Sequence, residues 1–283
     1  MAIILDGKKT AAELRAEIRE KAQALKQRTG VVPGLAVILV GDDPASRIYV
    51  NNKEKACEAA GFLSREYNLP AGTRAEEISD LIRSLNKDDR IHGVLIQLPL
   101  PPHIRPEPLI ELVDPKKDVD GFHPYNIGHL FLGNPYHRPC TPSGIVEILD
   151  RYKIEISGKE AVIVGRSNIV GKPLALMLLA LNATVTICHT RTRDLAEVTR
   201  RADILVAAAG KAGMIRGDMV KTGAVVVDVG VNRLADGRVA GDVNFAEVSP
   251  KASYITPVPG GVGPMTIAML LKNTLEGAMR QTG

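Results

Sequence analysis

Three polar side chains in this sequence stand where their types could do chemistry. On a helix predicted from Ser46 to a stop at Gly61, positions three and four apart share a face, so Tyr49, Lys53, Ala56, Cys57 and Ala60 form one stripe. Lys53 is the odd charge on that stripe, and withdrawal from water favours its neutral amine, which can act as a base. The same spacing fits a lysine whose stem packs while its head reaches water. Gln97 lies in VLIQLPLPP, at the carboxyl end of an apolar strand that Pro99 terminates. Open α/β sheets bind ligands outside such ends. A glutamine there must hydrogen-bond something, either a lysine amine in the same crevice or a backbone group. Asp120, in DPKKDVDGFHP, is either a turn former ahead of Gly121 or a carboxylate suited to an amino-pyrimidine edge.

A second set of residues suits phosphate. Residues 161–192, AVIVGRSNIVGKPLALMLLALNATVTICHTRT, read as strand, glycine turn, helix and strand, a setting in which a helix N-terminus can hold an anion. Gly165 and Gly171 enclose five residues, and Ser167 stands where a GxGxxG loop would carry a glycine. A plain strand-to-helix turn fits this spacing too. The second strand runs into His189, Thr190, Arg191, Thr192 and Arg193, without the carboxylate that NAD sites place there for the ribose hydroxyls. Arg166, Ser167, Thr190 and Arg191 instead offer charge-assisted and hydroxyl hydrogen bonds to a 2′-phosphate, which points to NADP. Solvated surface arginines are the alternative for Arg191 and Arg193. The loop TPVPGGVGPMT, residues 256–266, is either a turn leading into a helix or a place where backbone approaches a ligand closely.

The elements that must position these residues alternate between strand and helix along the chain, the pattern of parallel sheets covered by helices. After an amphipathic helix over Lys8–Thr29, a buried strand is expected at Leu35–Gly41, with Ser46 capping the lysine helix. Strands at Phe62–Leu69 and Ile91–Leu98 flank a helix that opens on a capping box of Thr73 and Glu76. The Pro-, Gly- and His-rich stretch 99–142, with short helices near Pro106–Val113 and Asn126–Leu132, reads as the hinge. Beyond it, strands at Ala161–Gly165, Thr184–His189, Ile204–Ala208 and Ala224–Val229 and helices at Lys172–Leu181 and Asp194–Ala202 predict a Rossmann-like, doubly wound parallel sheet. A last helix, Pro264–Met279, carries Ile267, Leu270, Leu271 and Leu275 at helical spacing and is expected to pack back on the first domain. The domain boundaries read as 1–140 with helix 265–283, an α/β substrate domain, and 141–264, a nucleotide domain.

Composition narrows the partners. The 283 residues are 45% hydrophobic and 24% charged, ordinary globular usage for two domains. Net charge +4 comes from interspersed signs without basic runs, so nucleic acid is not an expected partner. The longest apolar runs, such as Leu174–Leu181, fall far short of the ~20 residues that cross a bilayer, and the N-terminus lacks a signal pattern, so a cytoplasmic protein without membrane attachment is expected. Cys57, Cys140 and Cys188 lack CxxC spacing and read as buried thiols. The six histidines show no paired-ligand spacing, and no metal is expected.

Taken together, YVNNK, GVLIQLPLP, DVDGFHP, GRSNIVGKP and TPVPGGVGPMT, in this order over essentially the whole chain, resemble the bifunctional methylenetetrahydrofolate dehydrogenase/methenyltetrahydrofolate cyclohydrolase family. The resemblance implies oxidation of 5,10-methylenetetrahydrofolate with NADP and hydration of the methenyl product to 10-formyltetrahydrofolate in one cleft. Tetrahydrofolate one-carbon derivatives are then the small-molecule partners, serving purine, methionine and histidine biosynthesis. By the same resemblance Lys53 assists proton transfer or activates water, Gln97 tunes its protonation, Tyr49 stacks on the aminobenzoyl ring and Asp120 binds the pterin. Pro259, Gly260 and Gly261 shape the substrate and nicotinamide side. Gly165, Arg166, Ser167, Thr190, Arg191 and Val231 line the cofactor. Relatives commonly carry Ser where this chain has Thr190; the hydroxyl is kept, and the part played by Arg191 is less defined. The resemblance further implies a homodimer, and the length leaves no room for an appended formyltetrahydrofolate synthetase portion.

Overall fold

The computed structural model describes residues 1–282, the side chain of Ala45 excepted. The chain opens with a two-residue strand β1 (Ile3–Ile4) and a long helix α1 (Gly7–Thr29), then runs β2 (Gly34–Val40), α2 (Pro44–Ala60), β3 (Leu63–Leu69), α3 (Ala75–Lys87) and β4 (Gly93–Ile96). Short helices α4 (Pro106–Leu112) and α5 (Pro124–Phe131) lead to α6 (Cys140–Arg151). Next come β5 (Glu160–Val164), α7 (Gly171–Ala180), β6 (Thr184–Cys188), α8 (Leu195–Thr199), β7 (Ile204–Ala207) and β8 (Val225–Asp228). A small hairpin of β9 (Asn232–Arg233) and β10 (Val239–Ala240), the single-turn helix α9 (Phe245–Val248), β11 (Tyr254–Ile255) and α10 (Val262–Gln281) complete it.

Two compact units result. One comprises Ala12–Cys140 and the chain from Ile267 onward; the other comprises Met1–Ala11 and Thr141–Thr266. Residues 1–11, read from the sequence with the substrate domain, are thus grouped with the nucleotide half, because β1 lies parallel to β11 with Ile3 opposite Tyr254. Two residues of strand carry too little pattern to be read from sequence.

In the first unit three parallel strands stand in the order β3-β2-β4. All seven residues of β2 are buried, as expected of a central strand covered on both faces. Ala36, Ile38 and Val40 pack with Ile78, Ile82 and Leu85 of α3 into one hydrophobic core. The C-terminal helix belongs here: the Asn273 amide of α10 donates to the carbonyls of Val119 and Arg138, at 2.7 and 2.9 Å.

Two helix starts differ from expectation. Asp43, not Ser46, caps α2; its carboxylate accepts from the Ser46 amide and hydroxyl, both at 2.8 Å. Pro44 fits the first turn because it has no N–H to leave unpaired, so the helix begins two residues before Ser46. The capping interaction of α3 joins Arg74 and Glu77, one residue beyond Thr73 and Glu76, since the Glu77 carboxylate reaches the Arg74 backbone N–H. Thr73 is instead buried, its carbonyl bonded to His103 Nε2.

The second unit is a six-stranded parallel sheet of order β1-β11-β8-β7-β5-β6. The chain moves outward from β5 to β6, then crosses to β7 on the other side of β5. That reversal opens a crevice at the carboxyl ends of β5 and β7, the usual ligand position in a doubly wound sheet. Val162, Val164, Leu205, Ala207 and Val226 fill the core beneath it.

Candidate functional site

In the first unit the sheet and α2 bring Lys53 and Gln97 into direct contact. Gln97 follows β4 and extends its ladder, its N–H donating to the Ile38 carbonyl at 2.9 Å. Its side-chain oxygen accepts from Lys53 Nζ at 2.8 Å, while its Nε2 donates to the Leu98 carbonyl at 2.7 Å. Both halves of the amide are used, so the oxygen is fixed toward the amine. Of the two partners that the sequence leaves open for Gln97, the structure supplies both. Lys53 is half-buried, and desolvation holds its amine below the ordinary lysine range although Asp120, Cys140 and Cys57 pull the other way. Tyr49, placed by periodicity on the apolar stripe, is 46% exposed instead. It sits one turn before Lys53, on the open part of that face.

Asp120 is the counterpart. Burial pushes its carboxyl up to about 6, with Asp118 adding to the rise and Lys53 and the Cys140 thiol opposing it. An amine driven toward neutrality and a carboxyl driven upward thus sit in one electrostatic neighbourhood, an arrangement that suits proton transfer near neutral pH. A recess of about 20 Å³, enough for roughly one water, is lined by Asp120, Asp118, Ile96, Leu98 and Phe122 among others.

Asp118 and Asn273 hold the Asp120 loop, and sequence reading singled out neither. The Asp118 carboxylate accepts from the Phe122 and His123 amides and from Asn126 Nδ2, at 3.2, 2.8 and 2.8 Å. Asn273 reaches Val119, and Cys140 donates its thiol to the same carbonyl at 3.2 Å. The one available signal for Asn273 was a polar residue on an otherwise apolar helix face. All three cysteines are free and buried.

In the second unit Gly165 sits at the mouth of the crevice with φ +138°, where a Cβ would fall 2.1 Å from the Ala208 carbonyl oxygen. Gly171 is as tight, its Cβ position lying 2.1 Å from the Gly165 oxygen, so the turn between β5 and α7 admits no side chain at either end. Ser167 Oγ accepts from the Val170 amide at 3.1 Å, which leaves its proton free, and Arg166 is exposed beside it. After β6, the His189 amide donates to Thr192 Oγ1 at 2.8 Å and the Arg191 amide to His189 Nδ1 at 3.1 Å. That turn leaves Thr190 and Arg191 exposed. A backbone cradle, a helix N-terminus, two exposed arginines and two hydroxyls without a facing carboxylate fit a 2′-phosphorylated dinucleotide. Pro259, Gly260 and Gly261 lie between β11 and α10, with the Gly260 carbonyl accepting from the Lys8 amide at 2.9 Å. Val231 is 56% exposed just after β8.

Among the described residues no group of His, Cys, Asp and Glu side chains could hold a metal ion, and no helix is long and apolar enough to cross a membrane.

The chain is similar to known proteins along its whole length. Residues 5–120 match the tetrahydrofolate dehydrogenase/cyclohydrolase catalytic domain and residues 139–282 the NAD(P)-binding domain of the same name. A "Bifunctional protein FolD" of Magnetococcus marinus is 57% identical over 99% of this chain and 98% of its own. The crystal structure of the bifunctional methylenetetrahydrofolate dehydrogenase/cyclohydrolase of Campylobacter jejuni superposes with TM-score 0.97 at 53% identity, covering 99% of both chains. A Trypanosoma brucei enzyme of the same description, crystallised with NADP and an inhibitor, gives TM-score 0.95 at 41% identity over 99% of this chain and 98% of its own.

Proposed function

Because the chain belongs to the tetrahydrofolate dehydrogenase/cyclohydrolase family, we infer that it is bifunctional, oxidising 5,10-methylenetetrahydrofolate with NADP and hydrolysing the methenyl product to 10-formyltetrahydrofolate. The observation that carries the reading is the 2.8 Å bond between a desolvated Lys53 and Gln97, with Asp120 as its electrostatic counterpart.

NADP, when bound, accepts the hydride that leaves the one-carbon bridge. The bridge carbon is then a cation conjugated with the two nitrogens. In the second step water adds to that carbon and Lys53 takes one of its protons; as the carbon–N5 bond then breaks, the remaining hydroxyl proton passes to N5 and the oxygen forms the C=O of a formyl group on N10, with one proton released in all. A cationic substrate repels an ammonium, so the desolvation that keeps Lys53 toward its neutral form acts in the required direction. Gln97 orients that amine by accepting one of its N–H bonds and stabilises the ammonium formed as the proton arrives. Asp120 accepts from the amino-pyrimidine edge of the pterin, where two parallel N–H donors meet two carboxylate oxygens. Exposed Tyr49 offers its ring to the aminobenzoyl group, and Pro259, Gly260 and Gly261 shape the substrate side.

For the cofactor, Gly165 lets the backbone approach the pyrophosphate at the α7 N-terminus, and Arg166, Ser167, Thr190 and Arg191 receive the 2′-phosphate, with Val231 against the nicotinamide half. The reading extends to a cytoplasmic homodimer serving one-carbon transfer in biosynthesis. Support for a dimer comes from β6, an edge strand whose Ile187 is 37% exposed, with Leu179 at 59% nearby in sequence.

The test is an assay of purified protein with 5,10-methylenetetrahydrofolate and either NADP or NAD, following reduced nicotinamide and the methenyl intermediate separately. Reduction with NADP and little transient methenyl species is expected. Persistent methenyl accumulation would remove the second activity, and no reduction with either nucleotide would overturn the first.

A further inference from the structure

Two carboxylates in the second unit lie outside every role assigned so far. Asp228 ends β8 and Asp242 follows β10; they are 4% and 0% exposed. Among the described residues neither forms an ion pair. Asp242 accepts the backbone N–H groups of Ala209, Gly210 and Lys211 at 2.6, 2.9 and 2.8 Å, and Asn232 Nδ2 at 2.9 Å. Asp228 accepts the N–H groups of Gly230, Asp242 and Val243, each at 2.9 Å. The amide of Asp242 is therefore a donor to the first carboxylate, while its side chain serves the next loop. Glycines permit the approach: a Cβ on Gly241 would lie 1.8 Å from Asp228 Oδ2, and one on Gly230 would lie 2.3 Å from Asp242 Oδ1.

Buried carboxylates without a counter-ion are costly unless their lone pairs are filled by N–H donors, as they are here. Five of the seven bonds go to two loops, 208–211 after β7 and 229–232 after β8, and the other two, from the Asp242 and Val243 amides, tie the segment after β10 to Asp228. Those loops stand at the carboxyl ends of the strands on the β7–β8 side of the crevice, across from Gly165 and the Thr190 turn. A dinucleotide spans such a crevice with one mononucleotide half on each side. With the phosphate-directed residues Arg166, Thr190 and Arg191 on the β5–β6 side, the nicotinamide half falls to the braced side. Exposed Val231 stands there between Gly230 and Asn232, each held by one of the two carboxylates. Neither aspartate is a ligand or an acid–base group itself: both are buried and their oxygens are taken by N–H donors of the chain.

We propose that Asp228 and Asp242 are positioning residues for the dinucleotide: they fix the loops after β7 and β8 as the wall that receives its nicotinamide half. This rests on the NADP assignment made above. Affinity for the whole cofactor then depends on the pair, whereas affinity for the 2′-phosphoadenosine half does not.

The experiment is calorimetric titration of wild-type protein and Asp242→Asn with NADP, NAD and 2′,5′-ADP, which lacks the nicotinamide mononucleotide half. In the variant one carboxylate oxygen becomes an NH₂ group facing backbone donors. NADP and NAD should weaken by the same factor, at least about tenfold, the scale of one hydrogen bond to a charged group, while 2′,5′-ADP stays within about twofold. Asn232→Leu removes the bond to Asp242 at 2.9 Å and a weaker one to the Ala240 carbonyl at 3.3 Å and leaves the carboxylate pair in place; it should weaken NADP by about threefold without touching 2′,5′-ADP, and it guards against a misfolded Asp242 variant. Equal losses for NADP and 2′,5′-ADP in both variants would reduce the pair to a general structural role and overturn the proposal. Unchanged NADP binding in Asp242→Asn would overturn it as well. Wild-type protein that binds neither NADP nor 2′,5′-ADP would instead sink the cofactor assignment, and this role with it.

Discussion

Substituting Gln97 by Leu separates orientation of the Lys53 amine from its mere presence. Leucine keeps most of the volume and the apolar surroundings, but removes the acceptor at 2.8 Å from Nζ and the donor at 2.7 Å from the Leu98 carbonyl. In the ground state the amine is driven toward neutrality, and a neutral hydrogen bond is worth about 0.5–1.5 kcal/mol; as the amine takes the proton of the attacking water it becomes cationic, and the same bond is worth about 1.5–3 kcal/mol. Only that difference accelerates the reaction, about 1–1.5 kcal/mol, so cyclohydrolase kcat should fall roughly 5- to 13-fold while KM holds. The lost bond to Leu98 affects stability alone, and Tm should drop by no more than about 2–4 °C for each kcal/mol. The assay follows disappearance of the methenyl chromophore across a pH series. Gln97→Glu is the companion variant: a carboxylate facing Lys53 favours the ammonium, so the profile for hydrolysis should move to higher pH. Hydrolysis within twofold of wild type in Gln97→Leu, with an unshifted profile in Gln97→Glu, would refute the idea that this contact orients a working base. A rise in KM at constant kcat would refute it too, by moving Gln97 to substrate binding.

Lys53→Met should abolish hydrolysis, and because it deletes a desolvated amine it should leave Tm equal or higher; unchanged cyclohydrolase turnover would remove Lys53 from the chemistry. Arg166→Ala should weaken NADP by roughly 10- to 150-fold, the range of a charge-assisted bond to phosphate, and NAD by little; calorimetry showing equal losses would mean that the 2′-phosphate is not held there. Asp120, pushed by burial from 3.8 to about 6, should lose its charge as pH falls through 6, so KM for the folate substrate should climb below that pH in wild type and stay flat in Asp120→Asn. The sign for stability is the opposite: the folded form holds more protons than the unfolded one between pH 4 and 6, so this group's contribution improves as pH falls through that window. Urea midpoints of wild type and Asp120→Asn should converge there, and divergence in acid would contradict the burial of this carboxyl.

Much of this protein is legible in its sequence for reasons that are local. The buried strand β2 and the turn at Gly165 follow from apolar runs and glycine punctuation, and Lys53, Gln97 and Asp120 stand out because each is a polar residue where the surrounding pattern is apolar or turn-forming. The absence of a carboxylate after β6 is a statement about composition at one position, so NADP could be read directly. Helix starts were off by one or two residues because Asp43, Ser46, Thr73 and Arg74 all lie within reach of the first free amides, and only the real backbone path selects among them.

What needed the tertiary structure is what depends on segments distant in the chain. Placement of β1 beside β11 joins residues some 250 apart, an order of magnitude beyond any local window. The contact between Lys53 and Gln97 exists because β4 pairs with β2 and the face of α2 that carries Lys53 reaches the carboxyl end of β4, and its polarity is fixed by the second bond of that amide to Leu98. Asn273 reaching Val119, and Asp228 with Asp242 gathering two loops, look from sequence like isolated polar residues. Their meaning lies in burial and in which backbone N–H groups surround them, and both are properties of the folded chain alone.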